Sequence, residues 1–280
     1  MESGVYEILA FFSFWLGACI ASFLNVVIWR VPRGESIVRP PSHCPKCGAT
    51  IRWYQNLPIL SWLALRGKCA NCRAPISPRY VIVEALGGGL FLTAFLAFGP
   101  LAPVLWVWLS LMIVGTFIDF DHQLLPDFVT VGGMIYGLLL AAAATFLPYP
   151  LVKGVFPLYA SLQPFATPIY NSLFGLGFGF ALLWLVRFFG SKAFGREAMG
   201  LGDVFLMGAV GALFGPLAVL VTLILSSVFG SLVGVGLIVA TKVRLGKFVA
   251  IPYGPYICLG CLAWMFYGPE LVGWYLNLMK

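Results

Sequence analysis

The sequence predicts an all-α polytopic membrane protein of about eight transmembrane helices, with a small polar segment between the first and second. Three observations carry this reading. Only 10% of the 280 residues are charged, against about 25% in an ordinary soluble domain, so a polar surface cannot be built. The uncharged runs are long: none of the residues between Glu7 and Arg30 carries a charge, nor do the 34 between Glu84 and Asp119 or the 38 between Asp203 and Lys242. A bilayer takes about 20 apolar residues per helix, so the two longest runs read as helical hairpins.

The expected spans are 6–29, 81–98, 101–119, 128–147, 168–188, 202–213, 217–240 and 254–274. The turns "FGPLAP" and "LFGPLA" divide the two long runs, because Gly-Pro cannot continue a helix. The first span is too long for a cleaved signal peptide. Nine of the seventeen Lys and Arg residues fall in 30–80, and most others lie between spans five and six or seven and eight. With eight spans these segments share one side, which the distribution of positive charge marks as the cytoplasm. Topology therefore accounts for the +7 net charge. Anionic lipid headgroups are the default partner and no nucleic acid is called for. The organisation reads as a first transmembrane helix at 1–29, a cytoplasmic segment at 30–80 and a transmembrane core at 81–280.

Segment 30–80 contains "HCPKCG" and "KCANCR", placing Cys44 and Cys47 in one CxxC and Cys69 and Cys72 in another, 21 residues on. Two such knuckles let four thiolates converge as a tetrahedron around structural Zn²⁺. The metal would replace a core that fifty polar residues cannot build. Two disulfides or four reduced bystander thiols are the alternatives, the first disfavoured on the cytoplasmic side. His43 is expected as a neighbour and not a ligand.

Asp119 ends the third span and Asp203 opens the sixth in "AMGLGD". A carboxylate at such a boundary is costly unless it faces protein or water. If the two meet, one keeps a proton while the other is ionised, the arrangement that activates water against a peptide carbonyl. The structural alternative makes each a helix cap or a solvated residue. Asp127, after Pro126, is expected as an N-cap, and Asp121 and His122 as polar loop residues.

Taken with "SFLNVVIWRVP" (Ser22–Pro32), "RYVIVEALGG" (Arg79–Gly88), "IDFDHQLLPD" (Ile118–Asp127), "GLGD" (Gly200–Asp203) and "IPYGPY" (Ile251–Tyr256), the chain resembles the bacterial type IV prepilin peptidases. These are GxGD-type intramembrane aspartyl proteases that also act as N-methyltransferases. The resemblance implies Asp119 and Asp203 as the catalytic pair. It implies a prepilin or pseudopilin substrate in the bacterial inner membrane, whose basic leader is cut on the cytoplasmic side after a glycine. It further implies methylation of the new N-terminus by S-adenosylmethionine, linked to the zinc segment, with Gly67 and Glu84 as the residues of the methyl-donor site. Asn25 matches a motif position with a helix-bridging role.

Three departures from the family pattern stand out: extra length near 148–168, Phe205 where many members carry lysine, and Ala21 where they carry glycine. Glu35 and Glu197 are the expected contacts for a basic leader. A cation- or proton-coupled transporter using the two aspartates, a peptidase without methyl transfer, and an inactive zinc scaffold for a secretion assembly are the competing readings.

Overall fold

A computed structural model describes residues 2–146, 167–241 and 251–279. The longer loop near 148–168 and the basic residues Lys242, Arg244 and Lys247 lie almost wholly outside them. The described residues form helices and no strands: α1 (Glu2–Arg30), the short α2 (Leu60–Ala64), α3 (Arg79–Phe98), α4 (Ala102–His122), α5 (Asp127–Phe146), α6 (Pro168–Phe194), α7 (Leu201–Phe214), α8 (Pro216–Thr241) and α9 (Gly254–Leu278). By length and apolarity six stretches can cross a membrane: Gly4–Arg33, Arg79–His122, Asp127–Phe146, Pro168–Phe194, Pro216–Leu237 and Gly254–Leu278. The eight expected spans coincide with helices, but Arg79–His122 is one apolar stretch and α7 has only 14 residues, so a count of eight crossings is not established. Outward faces are apolar, with Phe12, Leu139 and Ile224 more than 60% exposed, as lipid-facing helices require.

Both Gly-Pro turns break the helix where expected. Gly99 adopts φ +56° and Gly215 φ +84°, the left-handed region glycine enters without a side-chain clash, and the following proline starts the next turn. Asp127 is the first residue of α5 and not its N-cap; the Pro126 carbonyl accepts the Thr130 N–H and so occupies the cap position. Its charge still complements the positive end of the helix. Asp121 and His122 belong to the last turn of α4, because the helix continues until Gln123 leaves it at φ +52°.

The chain divides into two compact units, Met1–Val114 and Gly115–Lys280, the boundary falling inside α4. In the first unit, α1 and α3 pack backbone to backbone. A methyl group on Gly17 would stand 2.5 Å from the Gly87 carbonyl oxygen, and one on Gly87 would overlap Ala21. Small residues on facing helices allow this approach. Ala21, where family members carry glycine, is wholly buried in that seam. Asn25 Nδ2 donates to the Tyr80 carbonyl at 3.2 Å, bridging α1 to α3.

The second unit is built around α7, which touches α5, α6, α8 and α9. Residues 206–213 of α7 are all buried. A helix hydrophobic all round belongs in a core, and the composition "VFLMGAVGALF" meets that demand. Gly211 and Gly175 bring α7 and α6 into backbone contact, and Ser172 Oγ donates to the Ala212 carbonyl. Phe205 meets Phe180 of α6 edge to face, with centroids 5.5 Å apart. Replacing Gly87 by leucine is expected to destabilise the first unit by about 1–3 kcal/mol through overpacking. Thermal unfolding in detergent checks this, with Gly89→Leu, which meets nothing within 4 Å, as the control that leaves stability unchanged.

Candidate active site and metal centre

Segment 30–80 is shaped from both ends. Arg30, only 7% exposed at the end of α1, turns its guanidinium back onto the segment, donating to the Ser36 carbonyl at 2.9 Å and the Pro40 carbonyl at 2.8 Å. At the other end Glu84 of α3, 8% exposed, accepts the Ile59 N–H at 2.7 Å, with the Ser22 side chain also in hydrogen-bonding reach. Ile59 has φ +63°, a conformation a β-branched residue resists, so the carboxylate holds a strained turn in place. Gly67 has φ +66°, and a methyl there would stand 2.9 Å from the Trp62 ring. Gly67 and Glu84 thus each fix a turn of the segment through their own partner.

Between those turns the two CxxC knuckles repeat one geometry. The Cys44 N–H donates to the Ala49 carbonyl and the Cys69 N–H to the Ala74 carbonyl, at 2.9 and 2.8 Å. Gly48 and Arg73, each just after a second cysteine, both take positive φ. The sulfurs of Cys44, Cys47, Cys69 and Cys72 all lie within 4.8 Å of one another, and Cys44 Sγ is 3.8 Å from Cys72 Sγ. A tetrahedron with metal–sulfur bonds of about 2.3 Å has edges of about 3.8 Å. The four residues therefore fit a metal ion held tetrahedrally by four thiolates.

Asn71 Nδ2 donates across to Cys47 Sγ at 3.6 Å, tying one knuckle to the other. With the Ala49 N–H it draws the Cys47 thiol down to about 6. The Ala74 N–H also pulls on Cys72, yet burial and the adjacent sulfurs push that thiol up to about 11. Four thiolates this close repel, and a cation is what lets all four ionise together. His43 turns Nδ1 to the Pro41 carbonyl at 3.0 Å, outside the sulfur cluster, as its expected part of neighbour requires.

The second unit gathers three distant motifs at one end of its bundle. Asp119, 5% exposed in the last turns of α4, accepts the Gly254 N–H at 3.0 Å through Oδ2. Gly254 opens α9, so the carboxylate meets the positive end of a 25-residue helix. Asp203, 8% exposed in the first turn of α7, folds back on the Gly200 backbone, its Oδ2 being 3.3 Å from where a Gly200 methyl would stand. The two carboxylates lie within electrostatic reach of each other, and Cys258, one turn into α9, lies within reach of both.

Leu125 packs against the glycines next to both carboxylates. A methyl on Gly254 would stand 2.7 Å from Asp119 Oδ2 and 3.3 Å from Leu125 Cδ1, and one on Gly202 would stand 2.9 Å from Leu125 Cβ. Gly254 and Leu125 had no assigned part in the sequence reading, though both sit inside quoted motifs. Nothing local distinguishes a glycine whose amide is used from one that merely turns.

Ahead of Asp203 the approach is held by α6. Arg187 pairs with Glu197 at 2.9 Å and donates through Nε to the Met199 carbonyl at 3.0 Å. Ser191 Oγ accepts the Ala198 N–H at 3.0 Å. Glu197, expected as a contact for a basic leader, is thus engaged by a basic residue of its own chain. Glu35 is exposed.

Two family models match successive parts of the chain. One, described as the bacterial peptidase A24 N-terminal domain, matches residues 15–98; the other, the type IV leader peptidase family, matches residues 106–235. Among similar curated proteins, the prepilin leader peptidase/N-methyltransferase of Myxococcus xanthus is 42% identical over 84% of this chain, which spans 64% of that relative's length. The protein of the same name from Aeromonas hydrophila is 33% identical over 94% of this chain and 92% of its own. The type 4 prepilin-like proteins leader peptide-processing enzyme of Escherichia coli is 34% identical over 88% of this chain and 90% of its own. No solved structure matches the chain. With two family models matched in order along the chain, and with the Aeromonas hydrophila and Escherichia coli relatives aligned over about nine tenths of their length, the chain belongs to the type IV leader peptidase family.

Proposed function

We propose that the chain is a prepilin leader peptidase and N-methyltransferase of the bacterial inner membrane, acting on the cytoplasmic side through the pair Asp119 and Asp203. The observation that carries the reading is the gathering of both carboxylates, buried and each backed by a backbone N–H, at one end of the second unit. Two acids in one partly dehydrated place share a proton. The ionised member takes a proton from water, and the protonated one donates to the scissile carbonyl oxygen as the water attacks. No covalent intermediate is needed. The names of the similar proteins support a prepilin leader as the substrate. In this reading the prepilin is held in the bilayer by its apolar helix, and its basic leader is cut after a glycine.

The first unit carries the methyl transfer in this reading, with S-adenosylmethionine as co-substrate donating to the new N-terminal amine. The four cysteines hold Zn²⁺ as a structural ion. It staples the loop between the knuckles, from which Ile59 reaches Glu84 and in which Gly67 turns against Trp62. Gly67 and Glu84 then shape the segment on which the donor docks. Residues 30–80 form the methyl-transfer segment and 81–280 the peptidase core.

Purified protein in detergent, given a prepilin with and without S-adenosylmethionine, tests the whole reading. Asp119→Asn and Asp203→Asn are each expected to lower cleavage at least about 100-fold, while methylation of a pre-cut pilin persists. Either variant cutting at the wild-type rate, or a wild type that never cuts, would return the reading to a transporter or a scaffold. Elemental analysis is expected to find one zinc per chain and almost none in the double variant Cys44→Ser, Cys72→Ser. Undiminished zinc in that variant would show the metal to be bound elsewhere.

A further inference from the structure

We propose that residues 53–65 are an anchor in the bilayer interface. The exposed side chains of Trp53, Leu57, Leu60 and Leu63 enter the boundary between headgroups and acyl chains, and Arg52 and Arg66 meet the phosphates of anionic lipids. Within the polar segment 30–80, the stretch "WYQNLPILSWLAL" (Trp53–Leu65) carries no charge, and an arginine stands at each end of it. A loop surrounded by water would turn its large apolar side chains inward. This one turns several outward: Trp53 is 79% exposed, Leu57 43%, Leu60 50% and Leu63 57%. An exposed apolar cluster with a polar rim marks a binding surface.

The depth of the stretch says what covers it. α1 and α3 run antiparallel, Tyr6 reaching Leu96 and Asn25 reaching Tyr80, so Arg30 and Arg79 mark the same end of two helices able to cross a membrane. Trp29 at that end is half exposed, with the Arg33 guanidinium 3.7 Å over its ring, an aromatic and a basic residue paired as at a lipid–water boundary. Glu84 lies five residues into α3 from Arg79, about 7.5 Å along the axis. It is Glu84 that accepts the Ile59 N–H at 2.7 Å. The loop therefore dips back beside the first turns of α3, to the depth where interfacial helices rest, about 5–10 Å into the boundary. The short helix α2 is rotated to suit. Trp62 turns toward the second knuckle, donating through Nε1 to the Ile76 carbonyl at 3.3 Å and lying against Gly67. Leu60 and Leu63, one turn apart, are left facing outward. Arg52, Arg66 and Lys68, all exposed, favour an anionic lipid surface and disfavour a basic peptide as the occupant.

The test uses the full chain in vesicles of phosphatidylcholine, alone or mixed with phosphatidylglycerol. Each vesicle also holds a phosphatidylcholine with a diazirine on one acyl chain, close to the glycerol. After irradiation, the peptides that carry lipid are mapped by mass spectrometry. Label is expected on 53–65 as well as on the spans, more of it with phosphatidylglycerol, and none on the exposed knuckle residues Lys46 and Asn71. The double variant Leu60→Glu, Leu63→Glu is expected to lose the label on 53–65 at least about tenfold, because each carboxylate must be desolvated to enter lipid, while label on α1 and α3 is unchanged. Should that variant fail to fold, Leu60→Ser with Leu63→Ser makes the same comparison. A wild type labelled on its spans but not on 53–65 overturns the proposal, as does label on 53–65 that both double variants keep. A cross-link from 53–65 to a second copy, in place of lipid, overturns it and gives the face to a dimer. Equal label with and without phosphatidylglycerol overturns the part assigned to Arg52 and Arg66.

Discussion

The hydrogen bond from the Gly254 N–H to Asp119 joins residues 135 positions apart in the chain, and the local order of the second unit hangs on it. It binds the end of α4 to the first turn of α9. It gives a buried carboxylate a donor where bulk water is excluded, and an unpartnered charge there would be strongly destabilising. Because the donor is a backbone amide, its position is set by helix geometry and not by a rotamer. Leu125 is then trapped between the glycine that donates and the one that precedes Asp203.

The first unit solves a different problem by a different means. Fifty residues of mixed polarity cannot exclude enough water to fold alone, so the segment is pinned at fixed points. Arg30 grips its start through two carbonyls, Glu84 grips its middle through one N–H, and four sulfurs close it on itself. Each point is a charged or ionisable group meeting the backbone or a metal site.

The helices were legible because their signal is local and repeated. Uncharged runs bounded by charges mark the apolar stretches, and Gly-Pro pairs mark the breaks at Gly99 and Gly215 for a stereochemical reason that holds in any context. The cysteine cluster was legible because two knuckles of fixed spacing leave few other geometries. What escaped depends on meetings between distant residues. Nothing in "IPYGPY" says that Gly254 will donate to Asp119, and nothing in "QLLPD" separates Leu125 from Leu124. Glu197 looked available to a ligand because its separation of ten positions from Arg187 conceals that the chain turns back. The cap of α5 was misplaced by one residue, since proline's carbonyl can serve although its nitrogen cannot donate.

Fourteen residues of α-helix span about 21 Å, whereas a bilayer's hydrocarbon is about 30 Å thick. A membrane matched to α8 or α9 therefore leaves at least one end of α7 sunk beneath the lipid headgroups. Wherever the first turn is the submerged end, solvent must descend to Asp203 through a local dimple in the lipid or a cleft in the protein. Bilayer thickness then becomes a determinant of how well that acid is hydrated, and lipids of shorter chain bring the aqueous surface closer to it.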